Sequence, residues 1–283
     1  MTYEKHSGQE AFVSLADQPI AHIAPKAFLS CKRIQSLTLP DSLEAIGDWA
    51  FAHMQQLTDL YLPAKPIAFG KKVFLDCEKL QRIHVSPNTS GNDGLPQMLA
   101  ATVTILQDMV LLQPLRAGCE ATHRDWLTDF DAALQAFIES PDEQNFEPIF
   151  YGWFNDEDAD STQLPKYLHK RRSQKLYLTF LRLRYSLHLS DTLRQLLLDY
   201  LADHMPDGKE AHMHTITWEL LPQYCREEII YIQLLEEAGA LTDTNIPTII
   251  NHLQNTSPEI IAYLLRLQNE LQKKSDFFDK FAL

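Results

Sequence analysis

A 23-residue register, kept through three successive units without an insertion, restricts what this chain can fold into more than any other feature. Ile23, Ile46 and Phe69 open the units. At equal offsets follow the pairs Ala27-Phe28, Ala50-Phe51 and Val73-Phe74, and then Cys31, Met54 and Cys77. The same frame carries Ile34, Leu57 and Leu80, then Leu37, Leu60 and Ile83, then Leu39, Leu62 and Val85. Pro40 and Pro63 close two units, whereas the third has Ser86 at that place and Pro87 one residue later, so the periodicity ends there.

Each unit alternates apolar and polar residues over its last part, as in Leu37-Thr38-Leu39, Leu60-Tyr61-Leu62 and Ile83-His84-Val85, which is the period of a strand. The middle part, with the Ala-Phe pair and the later Cys or Met, reads as a short helical or turn segment. One unit cannot bury its own apolar side, but stacked units align phenylalanine over phenylalanine and leucine over leucine into one continuous core.

Written as I-x-x-x-A-F-x-x-C-x-x-L-x-x-L-x-L-P, the unit resembles the leucine-rich repeats of the bacterial BspA-like class over about residues 20 to 88. Phe12 to Ile20 looks like a degraded capping unit. The resemblance implies a curved solenoid in which the residues flanking the inward leucines project from the open sheet face. Here those residues are Ser36, Thr38, Asp59, Tyr61, Arg82 and His84. Tyr and Arg are favoured interface anchors, which makes this ladder the candidate binding surface for a protein or peptide. An ordinary solvated sheet face is the competing reading.

After Pro87 the run NTSGNDGLP marks a turn or linker and sets an expected domain edge near residue 90, dividing the chain into 1-90 and 91-283. Residues 95 to 115 are apolar, with Thr102-Val103-Thr104-Ile105 favouring a strand and the remainder a helix, so that stretch stays open. From Asp125 the spacing is helical, with Leu127, Phe130, Leu134 and Phe137 on one face and later Leu176, Phe180, Leu183 and Leu187. Ser190 precedes Leu193, Leu196, Leu197, Tyr200 and Leu201 as the cap of an amphipathic helix. Short loops such as the MPDG at 205 to 208 would join antiparallel neighbours. Gly239 ends a later helix where a left-handed residue is needed.

Two segments of this second region resemble ankyrin repeats: Leu234-Leu235-Glu236-Glu237-Ala238-Gly239-Ala240, and Glu259-Ile260-Ile261 followed by Leu264-Leu265. The T-P-L-H opening is absent, with Asn245-Ile246-Pro247-Thr248 in its neighbourhood, and the Leu-Leu pairs at 197, 234 and 264 are unevenly spaced. The region is also similar to the helical tails that accompany BspA-like repeats in bacterial proteins. The expected fold class is therefore α+β, a short leucine-rich-repeat solenoid followed by an all-α, ankyrin-like helical region.

Thirty-eight acidic against twenty-five basic residues give a formal charge of -13, which repels phosphate backbones and argues against nucleic acid. No apolar run reaches the ~18 residues of a membrane span, and the opening MTYEKHSGQEAF lacks a signal-peptide core, so a cytoplasmic protein without membrane insertion is expected. Cys31, Cys77, Cys119 and Cys225 form no CxxC pair, which speaks for reduced thiols rather than zinc or disulfides.

Chemistry-bearing patterns are few. Asp156-Glu157-Asp158-Ala159-Asp160 begins like a calcium loop, but Ser161 and Tyr167 stand where the glycine and glutamate belong, so a solvated loop is expected. His212 and His214, with His204 nearby, would ligate a metal only if they converged. Lys166, Lys170, Arg171, Arg172, Lys175, Arg182 and Arg184 form a basic cluster, read as a charged outer helical face or a seat for an acidic or phosphate-bearing partner. Cys31, Cys77, Trp126, Trp153 and Trp218 are expected to be packing residues. No cofactor, metal or catalytic residue is assigned. A non-catalytic interaction module is expected, with an enzyme or metal-dependent site in the C-terminal helices, or a bacterial effector acting on host proteins, as the alternatives.

Overall fold

The repeat of the sequence is visible directly in the backbone. A computed structural model describes residues 1–85, 94–108, 111, 120–146, 163–204, 228–253 and 257–281. Its N-terminal region contains eight short strands: β1 Thr2–Tyr3, β2 Phe12–Ser14, β3 His22–Ile23, β4 Ser36–Thr38, β5 Ala45–Ile46, β6 Asp59–Leu62, β7 Ala68–Phe69 and β8 Arg82–Val85. They form two parallel sheets, ordered β1-β3-β5-β7 and β2-β4-β6-β8. Every coil of the solenoid contributes one strand to each sheet. The sequence pattern indicates only one strand per unit; the two-residue strands opening at His22, Ala45 and Ala68 are too short to show a period.

Registers Ser36↔Asp59↔Arg82 and His22↔Ala45↔Ala68 advance by one period per coil. The first coil departs from this: Phe12 pairs with Ser36 and Thr2 with His22. The segment expected to be a degraded cap thus belongs to a fourth coil, with strands in both sheets. It looks degraded because Phe12 lies one residue out of the 23-residue frame.

Between the sheets the Ala-Phe segments form turns rather than helix, and they have a ladder of their own. Lys26, Phe28 and Ser30 donate N–H bonds to the carbonyls of Asp48, Ala50 and Ala52. Trp49, Phe51 and His53 donate in the same way to Lys71, Val73 and Leu75. Aiming alternate amides at the next coil requires left-handed residues at fixed places. Lys26, Trp49 and Lys72 have φ of 60°, 59° and 51°, and Ser30, His53 and Asp76 have φ of 61°, 59° and 54°. Each such non-glycine residue costs about 1 kcal/mol, which the core must outweigh.

That core is the set of aligned columns. Phe28 and Phe51 lie 5.6 Å apart and Phe51 and Phe74 5.7 Å, with all three rings buried. Leu37, Leu60 and Ile83 are fully buried, as are Ile34 and Leu57. Cys31, Met54 and Cys77 fill their expected column. Burying one such side chain contributes roughly 2 kcal/mol, and the parallel register repeats the gain in every coil. Where Ala24 stands in the first of the three units, Gly47 and Gly70 stand in the next two. A Cβ on Gly47 would lie 2.5 Å from Pro25 N, and one on Gly70 2.5 Å from Asp48 N, so the coils touch backbone to backbone there.

Both ends of the apolar column are covered. Tyr3 and His6 stack on Phe28 at 5.3 Å and 5.1 Å. Helix α1, Leu95–Ala101, packs against β8 and buries Leu95, Met98 and Leu99. A π-helical turn, Thr102–Leu106, continues α1. Of the stretch left open between strand and helix, residues 95–106 are thus helical, and Thr102 and Thr104 satisfy their hydroxyls on the carbonyls of Met98 and Ala100, one turn back; residues 109–110 and 112–115 lie outside the described residues. The expected domain edge near residue 90 lies outside the described residues.

By contact density the chain forms two compact units, Met1–Phe137 and Ile138–Leu283. Helix α2, Glu120–Glu139, ends the first and buries Trp126, Leu127, Phe130 and Leu134 as expected, with Trp126 Nε1 donating to the Leu111 carbonyl at 2.6 Å. The second unit holds α3 Gln163–Arg184, α4 Asp191–Asp203, α5 Ile230–Glu237, α6 Ile246–His252 and α7 Pro258–Phe281. Helices α3, α4 and α5 pack on one another, and α6 packs on α7.

Ser190 caps α4 by accepting from Leu193 N at 3.2 Å. Gly239, at φ 69°, ends α5, with Ala240 N reaching back to the Leu235 carbonyl. Leu176, Phe180 and Leu183 are buried on α3, but Leu187 is not part of that face: it lies in the turn after α3 and is 52% exposed. The apolar spacing runs one step past the end of the helix.

Candidate functional site

Alternation along the strands sorts the ladder from the core. On β4, β6 and β8 the residues Leu37, Leu60 and Ile83 point inward, so the residues on either side point outward. The parallel register then builds two outward columns: Ser36, Asp59 and Arg82 in one, Thr38, Tyr61 and His84 in the other. All six candidate residues therefore share one sheet face, with Tyr61 exposed and the other five half-buried.

The columns extend one coil further than the sequence pattern indicated. Phe12 aligns with Ser36, and Ser14 with Thr38. Phe12 is 73% exposed, the most exposed phenylalanine among the described residues. The 23-residue frame assigned the outward place to Val13, which is why Phe12 was missed.

The polar groups of the last two coils bind one another. Arg82 donates to Asp59 through two parallel bonds, Nε to Oδ1 at 2.6 Å and Nη2 to Oδ2 at 2.8 Å. His84 Nε2 donates to Asp59 Oδ1 at 3.0 Å, and the Thr58 hydroxyl to Oδ2 at 2.8 Å. Burial by itself would raise the pKa of Asp59. The hydrogen bonds from Arg82, His84 and Thr58 and the charge of Arg82 outweigh it and hold the carboxyl at about 2. With four bonds accepted, Asp59 is a structural hub of the face, and what remains on offer is the outer surface of its donors. The Tyr61 and His84 rings stack at 4.4 Å with planes 10° apart, which makes a flat aromatic shelf beside that hub.

Other expected sites fare differently. Asp156 to Ser161, His212, His214, Trp153, Trp218, Cys119, Cys225 and the loop at 205 to 208 lie outside the described residues. His204 is engaged locally, its ring stacked on Tyr200 at 4.0 Å and its Nδ1 2.9 Å from the Tyr200 carbonyl oxygen. Among the described residues no three His, Cys, Asp or Glu side chains group so as to hold a metal ion, and no helix is long and apolar enough to cross a membrane.

Cys77 is buried with Sγ 3.1 Å from the Phe51 carbonyl oxygen, and burial pushes its thiol up to about 12. Burial also raises the Cys31 thiol. Both fit packing rather than reactivity. The basic cluster is not simply a charged outer face. Lys175 is 3% exposed and Arg182 is fully buried, the latter donating to the carbonyls of Tyr185 and Leu187. Helical spacing alone could not foresee this, since the acceptors come from segments outside α3.

Comparison with known proteins agrees with the repeat architecture. Residues 11–93 match the family model described as BspA type leucine rich repeat region (6 copies), a match that begins next to Phe12 and takes in β2 of the first coil but not β1. No curated protein and no solved structure matches the chain. Leucine-rich repeats generally serve as protein-interaction modules and are typically non-enzymatic.

Proposed function

We propose that the protein is a non-catalytic interaction scaffold that binds a protein or peptide across the outward columns of its second sheet. Ser36, Thr38, Asp59, Tyr61, Arg82 and His84 are the contacting residues in this reading. The observation that carries it is the Tyr61–His84 shelf at 4.4 Å, fixed beside the Asp59–Arg82 pair on a rigid parallel sheet. Aromatic and arginine side chains held in place in this way lose little freedom on contact, which is what interface anchors require. The exposed Phe12 adds an apolar lip at the first coil.

Residues 1-90 serve as the recognition domain and 91-283 as a helical, ankyrin-like domain. In favour of the ankyrin-like reading, Gly239 closes α5 after Leu234-Leu235, and Ile260 and Leu264 are buried on α7. Buried free thiols at Cys31 and Cys77 agree with a reducing compartment, and we assign the protein to the cytoplasm of a bacterium.

Affinity capture from the native lysate tests the binding face, comparing the intact chain with a Tyr61→Ala, Arg82→Ala, His84→Ala variant and with Thr38→Arg. The triple variant strips donors from Asp59, so its folding is checked by circular dichroism. Thr38→Arg adds bulk at the centre of the face and leaves the Asp59 bonds intact. A partner lost in both variants supports the proposal; equal recovery of every partner would refute it.

A further inference from the structure

Trp49 stands outside every apolar column of the solenoid. The 23-residue register places it between Lys26 and Lys72, one coil to either side, and both lysines are exposed. All three residues occupy the same left-handed corner, at φ 60° for Lys26, 59° for Trp49 and 51° for Lys72. A bulky aromatic is poorly suited to that region, and two of the three coils fill it with lysine, so the fold does not require an indole there. The ring is nonetheless held in place. Trp49 N donates to the Lys71 carbonyl at 2.9 Å, and Lys72 Nζ lies 5.3 Å from the ring centroid, an attractive cation-to-ring contact. The indole is half-buried, and its Nε1 donates to no group among the described residues.

Positive charge flanks the ring. Lys26 and Lys72 pair with no carboxylate among the described residues, and neither does the exposed Lys71 next to Lys72 in the chain. The acids in these turns are engaged elsewhere: Asp48 Oδ1 accepts from the Lys71 backbone N–H at 2.7 Å, and Asp76 pairs with His53 at 3.0 Å. A fixed indole with lysines on both sides therefore forms a positive island in a chain of net charge -13. Salt screens charges beyond about 8–10 Å at physiological ionic strength. A short ligand on the island thus feels the lysines first, whereas a long polyanion would run onto the acidic remainder of the chain. Parallel coils repeat about every 4.8 Å, and side chains on one face of an extended peptide about every 7 Å, a mismatch that flexible lysines can span.

From this arrangement we infer that the Lys26, Trp49 and Lys72 column docks an acidic peptide segment of a partner protein. An apolar side chain of the segment lies on the indole, and a carboxylate two residues away on either side meets one lysine each. Tryptophan is the side chain best suited to anchor such a contact, and the unpaired lysines supply the charge complementarity. The column belongs to the turn ladder between the sheets, so it is a second surface, separate from the outward columns of β4, β6 and β8.

Fluorescence anisotropy of a labelled, end-capped peptide Glu-Ser-Leu-Ser-Glu, titrated with the full chain, tests the inference. Its controls are Gln-Ser-Leu-Ser-Gln, which lacks the charge, and Glu-Ser-Ser-Ser-Glu, which lacks the apolar residue. Saturable 1:1 binding of the first peptide is expected, about tenfold tighter than either control and weakened by added salt. Trp49→Lys separates the indole from the charge. It installs the residue that the flanking coils already carry, so the turn accommodates it, and it makes the column more positive. Binding should fall about tenfold in this variant. Unchanged or tighter binding would show that charge alone attracts the peptide and would overturn the inference. Lys26→Gln and Lys72→Gln should each weaken binding about threefold, and they carry the test if circular dichroism shows Trp49→Lys unfolded. Lys32→Gln removes an exposed charge outside the column and leaves the affinity unchanged. No saturable binding of the first peptide would overturn the inference. So would a Trp49-dependent self-association in sedimentation, or a Trp49-dependent pelleting with phosphatidylserine vesicles, that the peptide does not compete away, since the column would then belong to a second copy or to a membrane.

Discussion

Replacing Asp59 with Asn removes the charge on which Arg82, His84 and Thr58 converge while keeping the size of the side chain. The carboxyl is held at about 2 against an ordinary 3.8, and each unit of such a shift is worth about 1.4 kcal/mol. The ionised group therefore contributes up to about 2.5 kcal/mol, reduced toward 2 because the partner Arg82 side chain is 41% exposed. The folded-state pKa is depressed, so this stability is present in full above the unfolded value and is lost as pH falls from about 4 through about 2. Asp59→Asn should unfold with about 2 kcal/mol less stability at pH 7 in urea titrations monitored by circular dichroism. The gap to wild type should shrink steadily below pH 4. A gap under about 0.5 kcal/mol at pH 7, the size of an ordinary surface substitution, or one that does not change down to pH 2.5, would refute the idea that this carboxylate organises the sheet face.

Three further outcomes follow from the packing. Gly47→Ala sets a methyl 2.5 Å from Pro25 N and 2.8 Å from Pro25 Cδ, which must push apart the coils joined by the 2.8 Å bond from Gly47 N to the Ile23 carbonyl. A loss of about 3 kcal/mol in urea unfolding is expected, whereas Ala24→Gly in the same column should cost about 1 kcal/mol or less. Phe51→Ala empties the middle of the ring column, between neighbours at 5.6 Å and 5.7 Å, and should lower stability by about 3–5 kcal/mol in the same assay. Cys77, with its thiol pushed up to about 12, should resist iodoacetamide at pH 8 in the folded protein and react once urea unfolds it, as read by peptide mass mapping.

The sequence reveals those features that depend on position within a repeat. Phe28, Phe51 and Phe74 could be aligned in advance because a parallel solenoid sets equivalent residues above one another, so a period in the chain becomes a column in space. The same logic assigned Ser36, Thr38, Asp59, Tyr61, Arg82 and His84 to one face. It fell short at Phe12, where a one-residue departure from the frame made a further coil read as a degraded cap. Local capping was also readable, since Ser190 and Gly239 act through backbone groups a few residues away.

What the residues do to one another was decided only by tertiary structure. The sequence lined up Asp59 with Arg82, but the saturation of its carboxylate by three side chains depends on distances set by coil-to-coil spacing. Likewise the charge of α3 is plain from its composition, whereas the burial of Lys175 beneath Asp142 and Ser140 depends on a segment well upstream folding back onto the helix. A period determines which side chains share a face, because stacking repeats position. Hydrogen bonds and burial are properties of the gaps between elements, and those gaps exist only once the chain has packed.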